Sequence, residues 1–224
     1  MRKIFTSFVW ILVLGWHVSV FAVPKPHIIS FGKWTPVKWY ANGKAVDMRI
    51  RPLFVDTRLK EYTTGQTHEI TDRLFVVRRM FRLNDSLPAE ASSPPRWVWE
   101  RGGWLLVDRV TGRVTQINLP EFDPFYSTAS WYRDYIAYCG VSDDGKKVFA
   151  IVAQLGRRKP ILKKALGEPF ADDSPDSECP APAWERQPIR VTFVPEANEK
   201  LTYAVHGHAV DVVNDAEEDE EGAE

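Results

Sequence analysis

Apolar and polar residues alternate along most of the chain, and that period of two predicts strands. In "VDMRIRPLFVD", residues 46–56, Met48 and Ile50 fall on one face with Arg49 and Arg51 on the other. Pro52 cannot donate to a ladder, so it marks a strand end, an edge or a bulge. Upstream, Asn42-Gly43 separates two apolar runs, a dipeptide that tolerates positive φ and favours a hairpin. Downstream, the β-branched and aromatic content of Leu74 to Leu83 predicts another strand, although "RLFVVRRMFRL" also fits a short helix.

After a loop of Pro, Ala and Ser over 86–95 comes "RWVWERGGWLLVDRVTGRVTQINLP". Trp97 and Trp99 are two apart and share a side, Gly102-Gly103 reads as a turn, and strands follow over Trp104–Asp108 and Arg113–Leu119. "PEFDPFYSTASWYRD" reads as an aromatic loop. In "YIAYCGVSDDGKKVFAIVAQLGRRKPILKKAL", residues 135–166, strands over Tyr135–Val141 and Lys147–Leu155 flank an Asp144-Gly145 turn, and a further turn leads into "PILKKAL". Near the C-terminal end, "IRVTFV" and "LTYAV" flank the loop "PEANEK".

The strand, S-D-D-G-K-K turn, apolar strand and basic final strand resemble a blade of the WD40-like β-propeller repeats of bacterial envelope proteins. "WLLVDRVTGRVTQINL", with its D-x-x-T-G turn, is similar to the outer half of a neighbouring blade, so the resemblance covers residues 96–166. It implies sheets of short antiparallel strands. A complete propeller needs about four blades of about 40 residues each, more than this chain marks. The expectation is therefore all-β: two packed, twisted antiparallel sheets, sandwich-like, with blade-like hairpin units, and a partial β-propeller as the alternative. The blade-like unit would form one sheet, and residues 28–83 with the C-terminal hairpin would form the other.

The two ends change the picture. Arg2 and Lys3 precede an uncharged apolar run from Ile4 to Val23, and Val20 and Ala22 suit positions −3 and −1 of a cleavage site. This predicts a signal peptide over 1–22 and export to the periplasm or medium, with an uncleaved membrane anchor over Ile4–Ala22 as the alternative. A single all-β domain would then cover 23–214, dividing, if anywhere, near 86–95. The last ten residues hold seven acids, which predicts a disordered tail over 215–224, and the body from Val23 to Asn214 carries a formal +4. Cys139 and Cys179 are the only cysteines; in an exported chain they predict one disulfide closing a loop of about 40 residues.

Candidate chemistry is sparse. No G-x-S-x-G, H-E-x-x-H or phosphate-cradling glycine loop occurs, and no cofactor is implied. His206, His208 and Asp211 are the nearest approach to a metal set, yet two ligands two apart on a strand are weak evidence and no metal is assigned. His68, Glu69 and Asp72 supply acid and base side chains without the convergent geometry that catalysis needs. The basic run Arg157, Arg158, Lys159, Lys163 and Lys164 reads as edge-strand protection or an anionic polymer contact, since an exported protein seldom meets nucleic acid. Aromatics are the surplus, and Trp97, Trp99, Trp131 and Tyr132 are the expected ligand surface. The sequence thus favours a non-enzymatic exported protein that binds a protein or polymer of the bacterial cell envelope. The competing readings are a small secreted hydrolase or metal-dependent enzyme using His68, Glu69, His206 and His208, and a structural subunit that completes a partner's sheet.

Overall fold

Alternation becomes strand pairing throughout the computed structural model, which describes residues 26–41, 44–87, 94–167, 179–196 and 199–212. The leader over 1–22, the acidic tail over 215–224, the Asn42-Gly43 dipeptide and most of the loops at 86–95 and 168–178 lie outside the described residues, as do Ala197 and Asn198 of "PEANEK". The described residues contain no helix, and so none long and apolar enough to cross a membrane.

The first sheet contains β1 (Ile29–Phe31), β2 (Thr35–Ala41), β3 (Lys44–Val55), β4 (Arg58–Glu69), β5 (Leu74–Asn84), β6 (Trp97–Asp108) and β7 (Val114–Gln116). Strands β2 to β6 pair antiparallel in chain order, and β6 returns beside β2 where Trp39 faces Trp99. Five alternating strands make the first and last point the same way, so this closing pair is parallel. The segment from Leu74 to Leu83 is strand rather than helix, its ladder to β6 running from Leu74 to Asn84. Leu53, Phe75, Val77, Leu105 and Val107 form the core on one face, closed by Ile29, Phe31 and Val114. Ile50 is buried while Arg49 stays exposed, as the alternation requires, and Pro52 lies beside a bulge at Leu53 and Phe54.

Two four-stranded meanders follow: β8 (Ala129–Tyr132), β9 (Tyr135–Val141), β10 (Val148–Gln154) and β11 (Leu162–Gly167), then β12 (Ala183–Arg186), β13 (Ile189–Glu196), β14 (Glu199–His206) and β15 (Ala209–Val212). The middle sheet is covered on both faces. Tyr135, Ala137, Cys139, Val148, Ala150 and Val152 pack on Val191, Phe193, Tyr203 and Val205 of the third sheet. The intervening residues Ile136, Tyr138, Ile151 and Ala153 pack on Trp104, Leu119 and Phe122. Double burial explains why β9 and β10 read as nearly unbroken apolar runs. Cys139 and Cys179 form the expected disulfide, with Cα atoms 6.1 Å apart, tying β9 to the segment that enters β12.

The packing of antiparallel sheets holds, but in three sheets where two were expected. The C-terminal hairpin does not join residues 28–83; it pairs with β12 and β15 as a sheet of its own. Two local readings also change. Gly102-Gly103 is not a turn but lies inside the continuous strand β6, and the aromatic loop contains β8, which pairs with β9.

Candidate functional site

The glycine pair inside β6 sets the site. Along the β5–β6 ladder Arg78 faces Trp104 and Met80 faces Arg101, so Gly102 and Gly103 together oppose the single residue Arg79. Such a bulge shifts side-chain parity by one. Trp97, Trp99 and Arg101 thereby come onto the same face as Trp104, with Arg78, Met80 and Arg82 of β5 alongside. Glycine fits because a Cβ at Gly102 would stand 3.1 Å from Arg79 Cβ.

This parity builds a ladder of alternating rings and cations. The Arg82 guanidinium lies 5.6 Å from the ring centres of both Trp97 and Trp99. Tyr62 meets Trp99 edge-on at 5.0 Å. Arg101 sits 3.9 Å over buried Trp39, whose other neighbour is Phe125 at 5.8 Å, and the Trp39 indole N–H donates to Glu100 Oε2 at 3.2 Å. A cation over an aromatic face is held by the ring quadrupole, so each arginine stiffens the ring beneath it.

At the open end of the ladder Tyr40 and Trp97 line a groove of about 650 Å³ with Val98, Asp85, Arg96 and Glu100. Trp97 is 54% exposed and Tyr40 53%. Arg96 binds Asp85 at 2.9 Å, so the groove offers two carboxylates against this arginine and nearby Arg82. Its charge is close to balanced. Two exposed rings and fixed polar groups suit a flat ligand carrying hydroxyl or amide groups better than a polyanion.

Arg78 anchors the floor beside the ladder. Its guanidinium donates to Pro124 O at 3.0 Å and lies 4.8 Å from the Phe122 ring. Burial, with the like charge of Arg101, pushes its pKa down to about 9, against a smaller opposing pull from Asp123. Its charge is thus held by a carbonyl and aromatic faces in the absence of a close described carboxylate, which makes it a structural cation.

The expected ligand surface divides. Trp97 and Trp99 stand together, but Trp131 is held between the sheets, stacked on His68 at 5.9 Å and edge-on to Trp104 at 5.5 Å. Tyr132 stacks on Trp184 at 5.6 Å and joins the second and third sheets. Alternation along β6 finds Trp97 and Trp99; it misses Tyr40, Arg82 and Phe125, which arrive from β2, β5 and a loop. Only the cross-strand register places them there.

The acid–base and metal candidates also separate. His68 Nε2 bonds to Arg133 O at 2.8 Å, whereas Glu69 is held by both terminal nitrogens of Arg109. Arg109 donates as well to the backbone carbonyl of Asp72. His206 and His208 do not share one strand face: β14 ends at His206, a Gly207-His208 turn follows, and β15 brings Asp211 back to within 4.0 Å of His206. His208 Nδ1 turns instead to Gln154 at 2.9 Å. Among the described residues no three His, Cys, Asp or Glu side chains gather as a metal-holding group. No protein-family model matches the chain, and no curated protein matches its sequence.

Proposed function

We propose that the protein is exported from a bacterial cell and binds, without catalysing a reaction, a protein or polymer of the cell envelope in the groove between Tyr40 and Trp97. The observation that carries this reading is two half-exposed rings beside fixed polar groups, backed by the Arg82–Trp99–Tyr62 ladder. Exposed aromatic rings grouped beside polar residues suit recognition, and a stiff platform reduces the entropy lost on binding. The Cys139–Cys179 bridge supports export, since such bonds persist in oxidising compartments. The blade-like reading of 96–166 finds support in the four-stranded meander of β8 to β11, although β6 and β7 belong to the first sheet.

The test is co-sedimentation with isolated cell-wall polymer and, in parallel, capture of solubilised envelope proteins, comparing the wild type with the Tyr40→Ala/Trp97→Ala double variant. Retention that falls at least tenfold in the variant, with an unchanged melting temperature, is expected. Equal retention removes the groove from the reading, and a ligand recovered in cleaved form replaces binding by catalysis. Mass spectrometry of the exported fraction reads the mature N-terminus, expected at Val23.

A further inference from the structure

The turn end of the middle sheet carries a second, separate cavity of about 200 Å³. Its inner wall is apolar, with Trp131, Ile136 and Ala153 supplied by β8, β9 and β10. Its rim is the β10–β11 turn, where Gln154, Arg157 and Arg158 stand. Gln154 is fixed from both sides: its amide nitrogen donates to Asp134 at 2.8 Å and its oxygen pairs with His208 Nδ1 at 2.9 Å. Trp131 is equally fixed, by His68 behind it and Trp104 at its edge. Three sheets therefore hold the walls in place, since His68 comes from the first and the His208 turn is tied to the second by Tyr135 Oη donating to Gly207 O at 2.8 Å.

Charge distinguishes this cavity from the groove. In the groove Arg96 is paired with Asp85. Here Arg157 and Arg158 are exposed neighbours without a described carboxylate in ion-pair contact; Glu121 is paired with Lys163, and Asp134 accepts from the Gln154 amide while keeping its charge. A small chamber with an apolar inner wall and two exposed guanidinium groups at its mouth matches an oxyanion on a compact apolar body, because arginine donates to a carboxylate or phosphate in a two-pronged fit.

We propose that the cavity lined by Trp131, Gln154, Arg157 and Arg158 binds a small organic oxyanion, its charged group at the arginines and its apolar body against Trp131 and Ile136. The volume limits the body to about a single ring.

The experiment follows the indole N–H resonances and tryptophan emission of the full chain at low ionic strength, titrating benzoate, phenyl phosphate and the neutral isostere benzamide. Saturable shifts at Trp131 with benzoate or phenyl phosphate, at least tenfold weaker with benzamide, are expected. Arg157→Gln/Arg158→Gln, in an exposed turn, should abolish them with the melting temperature held, and Trp97→Ala should leave them intact. Whichever of the two anions binds more tightly identifies carboxylate or phosphate as the natural group. Three results each overturn the proposal: benzamide binding as well as benzoate, shifts that survive in the double variant, or no saturable shift with either anion up to about 10 mM. Loss of the shifts in Trp97→Ala would move the binding to the groove and overturn it as well.

Discussion

Trp97 and Trp131 come from similar sequence, "RWVWE" and "SWYRD", each in an alternating strand beside charged residues, yet they meet different fates. Trp97 faces Asn84 at the end of β5, where no second sheet among the described residues covers it and its ring stays half exposed. Trp131 faces Ile136 on an edge strand that the first sheet overlays with His68 and Trp104. The strand pattern is the same; the layer above decides. A tryptophan stays available to a ligand where sheets stop and becomes a packing element where they meet. The adjoining hollows differ accordingly, one open and nearly neutral, the other small and cationic.

The sharpest way to break the comparison is truncation. Trp131→Ala removes the stacking on His68 and the edge contact to Trp104 together, and the first two sheets lose part of their shared core. A cost of about 3 kcal/mol is expected, read as a lowered denaturant midpoint. A cost within about 0.5 kcal/mol would place Trp131 in the same class as a surface ring. Opening the Cys139–Cys179 bridge by Cys139→Ala/Cys179→Ala should cost about 2–4 kcal/mol, because the unfolded chain regains the freedom of a long loop. That loss should fall on the second and third sheets, and hydrogen exchange should quicken in β9 and β12 before β5. Uniform quickening would mean that the three sheets unfold as one unit.

Much of this layering was not legible in the chain. Tyr135–Val141 and Val148–Gln154 were, because Asp144-Gly145 is a specific turn signal and Gly145 takes a φ of +70°. Gly102-Gly103 carries an equally strong turn signal but becomes a bulge, since a glycine pair permits both and only the β5 ladder chooses. β8 is hidden behind Asp123, Pro124 and Ser127; "AVHGHAVDVV" reads as one strand because Gly207 alone does not announce a turn. The alternation told correctly that Trp97 and Trp99 share a face. Which sheets cover which faces depends on contacts far apart in sequence, such as His68 with Arg133, and local pattern contains no information on them.

A smaller effect is expected at the bulge. Gly102→Ala brings a methyl group to 3.1 Å from Arg79 Cβ, and the neighbouring strand must give by a few tenths of an ångström. A cost of about 1 kcal/mol should accompany weaker retention by the groove, while the cavity at Trp131 keeps its response. Equal losses at both places would mean that the bulge supports the whole fold rather than the Trp97 face.

Acid should act on the first sheet through Asp108. Its carboxylate receives Arg73 Nε at 2.8 Å and the Val110 N–H at 2.9 Å, and the bond from Arg73 is the main reason its pKa lies well below the usual carboxylate range. Asp56, bonded to His27 and the Ile28 N–H, shifts the same way, as does Asp144 in the β9–β10 turn. Their folded-state values lie below the unfolded ones. The stability they contribute is therefore complete above about pH 4 and is lost as pH falls through the folded-state values. Asp108→Asn should lower the melting temperature at pH 7 and flatten its fall below pH 4; an unchanged acid slope would remove Asp108 from the account.

Trp97→Ala gives the smallest change in stability and the most pointed comparison with Trp131. The ring is half exposed, lies at the end of its strand, and is supported mainly by the exposed Arg82. Folding should change by no more than about 0.5 kcal/mol, since the ring is only half buried and Arg82 can turn back to water. Retention on the proposed envelope ligand should nonetheless fall, because a truncated ring leaves Tyr40 as the one exposed aromatic among the described residues of the groove. Melting curves and retention measured on the same preparation separate the two roles. A variant that loses stability but keeps retention would show that the end of the first sheet is packed in solution, and the contrast between the two tryptophans would then rest on degree of burial alone.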